Sequence, residues 1–335
     1  MTYEPCFTVS SQLLGLVEEI AGLRQRIQDA TIDLAWIPAL QKDTRTRNAH
    51  ASTAIEGNSL TLPEVRALAD SAGEPRNIPR SRQEVVNYFA GLRYVEQHCG
   101  EVPIVHTHVL DLHRILSARV MDQGDEGVYR SIRVQVGRHR PPAPGEIQEL
   151  MTALLGWWNG SANDLSPVLS SAIVHYRFEA IHPFADGNGR TGRALALWEL
   201  YRRGFDTHHI FAVDEYFWED RPSYYEALEQ VREAGEDLSQ WLEYCARGLL
   251  LTLERAWDRI QAASVGGAER IVLRPRQEQL LAILAAQGSA APSEIWQALG
   301  VSRQGAMDLI NPLIAAGLIE KVGTKKSGRY RLRRP

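Results

Sequence analysis

Apolar residues recur at three- and four-residue intervals along most of the chain, and that period predicts a mainly helical protein. Leu13, Leu14, Val17, Ile20, Leu23 and Ile27 trace one face of a helix over 9–30, with Ser10 and Ser11 as candidate caps. A second helix is expected from about 39 to 55, stopped by Gly57, and Thr61-Leu62-Pro63-Glu64 opens a third. The stretch 73–79, rich in Gly and Pro, reads as a boundary loop. Helices follow at about 81–97, 106–120, 146–160 and 165–180, and another over Thr191–Arg202, where Ala194, Leu197, Trp198 and Tyr201 keep the period. Asp220 and Asp237 mark two later helix starts. Between 127 and 145 the period changes. Ile132, Val134 and Val136 alternate with Arg133 and Gln135 before Gly137 and a run of prolines, which predicts a short hairpin with a free edge.

The last third carries its own pattern. Gln277–Gln287, Pro292–Gly300 and a segment capped by Ser302 read as three helices, and 318–322 and 329–332 as strands flanking a Gly/Lys turn. This order resembles a winged helix-turn-helix, in which Arg303, Gln304, Lys325, Lys326 and Arg329 would face nucleic acid. Pro312 should kink the third helix. Charge sharpens the contrast: residues 268–335 hold eleven Lys/Arg and five Asp/Glu, whereas the whole chain is at −4. A basic end on an acidic body raises the case for DNA at that end only.

The rest of the composition mostly excludes. At 335 residues, 44% hydrophobic and 23% charged, the chain suits two or three ordinary globular domains. No apolar run approaches the ~20 residues of a membrane span. The opening residues lack the basic-then-apolar order of a signal peptide, and a cytoplasmic location is expected. Cys6, Cys99 and Cys245 form neither a disulfide framework nor a metal spacing. His106, His108 and His113 invite a metal reading. They point to different helix faces, without a matching carboxylate or cysteine cluster, and are expected to be ordinary partly buried histidines.

One stretch demands a chemical explanation at almost every position: His182-Pro183-Phe184-Ala185-Asp186-Gly187-Asn188-Gly189-Arg190-Thr191-Gly192-Arg193. Gly187 and Gly189 permit positive φ, so successive N–H groups can form an anion-binding nest that opens a helix. Arg190 and Arg193, three apart, can share one polyphosphate. An imidazole beside such a site is suited to take a proton near neutral pH.

The stretch resembles the motif of the Fic family, HxFx(D/E)GNGRxxR, at every fixed position, and Val174–Ile181 resembles the helix that leads into it. The resemblance implies a mainly α, Fic-type helical core that transfers AMP from ATP to a Tyr, Thr or Ser hydroxyl of a target protein or of itself. It implies His182 as base and Asp186 as Mg²⁺ ligand. Asn188 with the nest amides of Gly187 and Gly189 would bind inner phosphates, and Arg190 and Arg193 the outer ones. The 127–145 hairpin resembles the family's flap, with Ile132, Val134 and Val136 docking the target. Tyr224 and Tyr225 could flank an adenine. Retained glycines and arginines favour AMP transfer over the phosphorylation of Doc-like relatives.

Ser52-Thr53-Ala54-Ile55-Glu56-Gly57 resembles the family's inhibitory helix motif, whose glutamate pairs with the second motif arginine, here Arg193. Glu56 sits at a helix C-terminus, where the dipole disfavours a carboxylate by ~0.3–1 kcal/mol, so it needs a cation or water. Ser52, one turn earlier, could hydrogen-bond it. The expected organisation is 1–75 as an N-terminal helical region, 76–255 as the core and 268–335 as the winged domain. Alternatives are a DNA-binding regulator whose core senses nucleotide, and Glu56-assisted removal of AMP. A homodimer is left open.

Overall fold

The computed structural model describes residues 2–30, 36–70, 78–206, 208–265, 275–315, 318–322 and 328–333. The chain gathers into two compact units, Met1–Gln28 with Leu40–Arg259, and Asp29–Ala39 with Ile260–Pro335.

The first unit is helical, as the period predicts. Its helices are α1 (Ser11–Asp29), α2 (Ile37–Ile55), α3 (Leu62–Asp70), α4 (Arg80–His98), α5 (His106–Ser117), α6 (Ile147–Asn159), α7 (Pro167–Ile181), α8 (Asn188–Arg202), α9 (Val213–Glu219), α10 (Arg221–Glu233) and α11 (Ser239–Val265). Among the described residues, no helix is long and apolar enough to cross a membrane.

The centre is the α7–α8 pair. Both are buried around nearly their whole circumference, including polar Ser170, His175, Glu179, Thr191 and Glu199. A helix enclosed on all sides loses the one-sided stripe that marks a surface helix. Glu199 on α8 is fully buried and accepts from Trp158 Nε1 at 2.6 Å, Ser170 Oγ at 2.5 Å and Arg202 Nε at 2.9 Å, tying α6, α7 and α8 together. His175 on α7 packs among Phe217, Tyr224 and Trp241 and shares a hydrogen bond of 3.0 Å with Tyr224 Oη.

α2 docks by a different chemistry. Its inner face is mostly polar, with Thr44, Thr46, Asn48, His50, Ser52 and Thr53 buried. Thr44 Oγ1 donates to Ile210 O, and Asn48 Nδ2 donates to Phe211 O while its Oδ1 accepts from Asp214 N. These bonds satisfy the side chains and hold the helix, and so the position of Glu56, against the chain between α8 and α9.

The expected hairpin at 127–145 is a single bridge in the structure. Val136 N donates to His139 O at 3.0 Å and His139 N to Val136 O at 2.9 Å, closing a tight turn at Gly137 (φ +57°). Ile132 is exposed, and Val134 and Val136 are half-buried. The prolines at 141, 142 and 144 supply no N–H on the returning arm, which is why no longer ladder forms.

In the second unit α12 (Pro275–Gln287), α13 (Pro292–Ala298) and α14 (Arg303–Ala315) pack on an antiparallel pair, β1 (Ile319–Val322) and β2 (Arg329–Leu332). Leu280, Leu284, Ile295, Ile310, Leu313 and Tyr330 form its core. α14 continues past Pro312 to Ala315.

Two outcomes follow. Glu199→Ala strands Arg202 and Trp158 and should cost about 3–5 kcal/mol, read as a lowered urea midpoint of the first unit. Burial pulls the His175 pKa from 6.5 down to about 3, with Arg193 adding repulsion. The unfolded chain therefore binds a proton that the folded one refuses, so stability should fall as pH drops from ~6.5 towards 3, and His175→Phe should flatten that slope.

Candidate active site

The motif residues assemble at the turn between α7 and α8. α7 ends at His182, a left-handed residue (φ 49°, ψ 61°) whose N–H donates to Phe178 O at 2.9 Å. Such a backbone is uncommon for a non-glycine residue and is held here from outside. Arg130, itself buried, donates through Nε to His182 O at 2.8 Å, Nη1 to Ile132 O at 2.8 Å and Nη2 to Pro142 O at 2.7 Å. One guanidinium thus clamps both arms of the 132–142 segment to the motif loop. His139 adds a second tie, its Nε2 lying 2.9 Å from Ala180 O.

Phe184 is fully buried and stacks on His113 at a ring separation of 3.6 Å. His113 is the loop's main external support. Its Nδ1 accepts from Gly127 N at 2.9 Å, so its Nε2 carries the proton and donates to Asp186 O at 2.9 Å. Burial holds its pKa down to about 4, against the pull of the Asp186 carbonyl, which keeps it in that neutral form. Among the described residues no group of three metal-ligating side chains forms. His106 bonds Tyr129 and Thr152, and His108 faces Glu101.

Two sequence expectations change at the glycine-rich turn. Gly187 is left-handed (φ +78°), but Gly189 lies inside α8, so the anion site is the first turn of a helix preceded by one left-handed residue. Gly189 leaves space for Glu56 instead, because a Cβ there would push the Glu56 carboxylate from its present position. Asn188 also changes role. Its Oδ1 accepts from Phe184 N at 2.9 Å and its Nδ2 donates to Phe184 O at 2.8 Å, so the amide pins the loop and has little left for a phosphate. The helix starts at Asn188, three residues before the apolar period becomes visible.

The arginines carry the positive charge. Arg193 is fully buried and held by α2: its Nε donates to Ser52 Oγ at 2.8 Å, and its Nη2 to Ser52 O at 2.9 Å and Glu56 Oε1 at 2.8 Å. Ser52 thus serves Arg193, where the sequence pointed it at Glu56. Among the described residues, Nη1 of Arg193 and Nε and Nη1 of Arg190 are buried without a hydrogen-bond partner. Unpartnered buried guanidinium nitrogens beside a helix N-terminus fit an oxyanion.

Gly57 (φ +96°) ends α2 as expected, and Glu56 projects over the first turn of α8. Its side chain keeps 36% exposure, towards the cleft. Withdrawal from water pushes its pKa up, but the attraction and hydrogen bond of Arg193, helped by Arg190 and Arg221, outweigh this and hold it below the usual carboxylate value. Asp186 Oδ1 accepts from Gly187 N at 2.6 Å and Oδ2 from Asp122 N at 3.3 Å, leaving the carboxylate part-exposed at the head of α8.

A cleft of about 700 Å³ opens over these groups, lined by Glu56, His182, Gly189, Arg193, Val136 and Arg138, with α10 as its far wall. Tyr225 is exposed at its edge beneath the Arg221 guanidinium, whereas Tyr224 is a buried core residue that reaches the cleft only with one side. Arg130 and Glu179 were missed by sequence reasoning, and His113 was named only as an ordinary histidine, not as a support of the loop. No local pattern marks Arg130 or the role of His113, and Glu179 is visible only as a carboxylate three residues before His182.

In the second unit, Arg303 and Gln304 are exposed at the first turn of α14, and Gln304 Nε2 donates to Asp308 at 2.9 Å. Arg329 is paired with Glu294 at 2.8 Å and bonds Ser289, so its charge is already answered. Lys325 and Lys326 lie outside the described residues.

The arrangement matches known proteins. A solved Fic family protein from Desulfovibrio desulfuricans G20 superposes with a TM-score of 0.68, at 28% identity, over 98% of each chain. Fic-1 (aa134 - 508) from C. elegans gives 0.64 at 26% identity, over 76% of this chain and 74% of that one. Among curated proteins, "Protein adenylyltransferase fic-1" of Caenorhabditis elegans is 30% identical over 263 residues, 76% of this chain and 49% of its own. "Protein adenylyltransferase Fic" of Drosophila grimshawi is 31% identical over 59% of this chain and 41% of its own. The chain thus spans less than half the length of these curated relatives. Residues 103–200, which hold α5 to most of α8 and the whole motif, match the Fic/DOC family. At residues 103–200 the chain carries a domain that matches the Fic/DOC family.

Proposed function

We propose that this chain is a protein adenylyltransferase that moves AMP from ATP onto a Tyr, Thr or Ser hydroxyl, and that Glu56 restrains it. The observation that carries the reading is one cleft lined by His182, the first turn of α8 at Gly189 and buried Arg193 with an unfilled donor, while Arg190 on that same turn holds two more. Curated relatives named as adenylyltransferases support it. In this reading the hydroxyl oxygen attacks the α-phosphorus and the bond to the β-phosphate oxygen breaks. Pyrophosphate leaves, and the hydroxyl proton passes to His182. Arg190, Arg193 and the first-turn amides of α8 hold the phosphates. Asp186 fits a Mg²⁺ site of one protein carboxylate plus phosphate oxygens, and the ion would neutralise charge on the nucleotide.

Glu56 Oε1 lies where a phosphate oxygen would approach Gly189 and Arg193. A carboxylate and a phosphate cannot both occupy that space, and the like charges repel, so ATP is held out of its productive pose. The exposed and half-buried chain at 133–136, outside any strand apart from the bridge at Val136, supports docking of the target segment by strand addition.

A second reading concerns the smaller unit. Its three helices and antiparallel pair support a winged-helix reading, in which exposed Arg303 and Gln304 at the start of α14 would head the recognition helix.

Glu56→Gly should raise AMP incorporation from labelled ATP by roughly 10- to 100-fold, the usual span of a coupling worth 1–3 kcal/mol. His182→Ala in that background should abolish it. Equal incorporation with and without Glu56 would remove the restraint, and intact mass would show whether AMP or phosphate is added. For the second unit, the full chain should retard DNA at low salt and Arg303→Ala should weaken this, while absence of retardation would overturn the nucleic-acid reading.

A further inference from the structure

We propose that Glu179 is a positioning residue for His182, fixing which imidazole nitrogen carries the proton. Glu179 sits on the last turn of α7, three residues before His182 and on the same face. Its Oε2 lies 3.6 Å from His182 Nδ1, a few tenths of an ångström from a hydrogen bond. Among the described residues its Oε1 is buried with no hydrogen-bond partner. A buried carboxylate in that state is costly unless a cation or donor is kept beside it. The comparison within the same core is direct: Glu199 is also buried, yet it accepts from Trp158, Ser170 and Arg202. For Glu179, the imidazole is the donor at hand.

The surroundings of His182 leave that pairing open. Arg130 takes its backbone oxygen, His139 is turned to Ala180 O, and Arg193 is held across the cleft by Ser52 and Glu56. The fold also makes room for the carboxylate. A Cβ at Gly192 would collide with Glu179 Oε1, and position 192 is one that the family motif leaves free.

A carboxylate facing Nδ1 favours the tautomer with Nδ1–H, leaving Nε2 bare to take a proton. It also stabilises the imidazolium that results. Only the kinetic part of this inference rests on the adenylyl-transfer reading.

The test uses the full chain with ¹⁵N-labelled histidine, as Glu179→Gln and Glu179→Leu, with His182 assigned by the signal lost in His182→Ala. Wild type should show neutral His182 mainly as the Nδ1–H tautomer, and Glu179→Leu should shift it towards Nε2–H. In the Glu56→Gly background, Glu179→Gln should lower kcat about 30-fold, less than the ~10²–10⁴ that the positioned base itself supplies, with KM for ATP unchanged within about twofold. The isosteric Gln keeps the kinetic arm readable if the Leu variant does not fold. An unchanged tautomer in folded Glu179→Leu, or an unchanged kcat in Glu179→Gln, overturns the proposal. Loss of transfer in Glu56→Gly itself would instead count against the adenylyltransferase reading, and the tautomer would still decide the role of Glu179.

Discussion

The buried guanidinium of Arg193 is the constraint on which the rest of the site depends. Burial disfavours its charged form, while Glu56, Tyr224, Asp214 and Tyr88 restore it and leave its pKa raised. A guanidinium removed from water without partners would cost several kcal/mol. Here the partners come from α2, about 140 residues earlier in the chain, through Ser52 Oγ, Ser52 O and Glu56. Docking α2 and presenting the arginine are therefore one event. The same contact places a carboxylate at the N-terminal turn of α8, where the helix dipole favours it, offsetting its unfavourable position at the end of α2.

Around that contact, the motif loop is held rigid by groups that do no chemistry themselves. Asn188 closes on the backbone of Phe184, His113 stacks on the ring and bonds Asp186 O, and Arg130 holds His182 in a left-handed conformation. The polar side chains on the loop thus divide into those consumed by its shape and those left for a ligand. Arg130 also joins the loop to the 132–142 segment, so His182 and that segment share one anchor.

Much of this was legible in order along the chain and much less in space. The apolar period located the helices of both units, and the density of unlike chemistry in His182–Arg193 marked the site. The pairing of Glu56 with Arg193 followed from the resemblance, and the geometry agrees with it. The expected bounds held to within two residues for α7 and at the end of α8, and missed the start of α8 by three, where the first turn carries no apolar side chain. The period overstated the 127–145 segment, because alternating residues indicate extended chain without revealing whether the opposite arm can donate.

Sequence alone determined the helical class, a left-handed residue in the glycine-rich turn before α8 and the stop at Gly57, because each depends on backbone freedom or spacing within a few neighbouring residues. Tertiary structure decided which polar atom serves which partner. Asn188 supports the loop, Ser52 binds Arg193, Gly189 makes room for Glu56, Gly192 makes room for Glu179, and His113 keeps a neutral ring against Phe184. The Ser52, Gly189 and His113 assignments depend on packing across about 70 to 140 residues of chain, and no local pattern encodes such an approach.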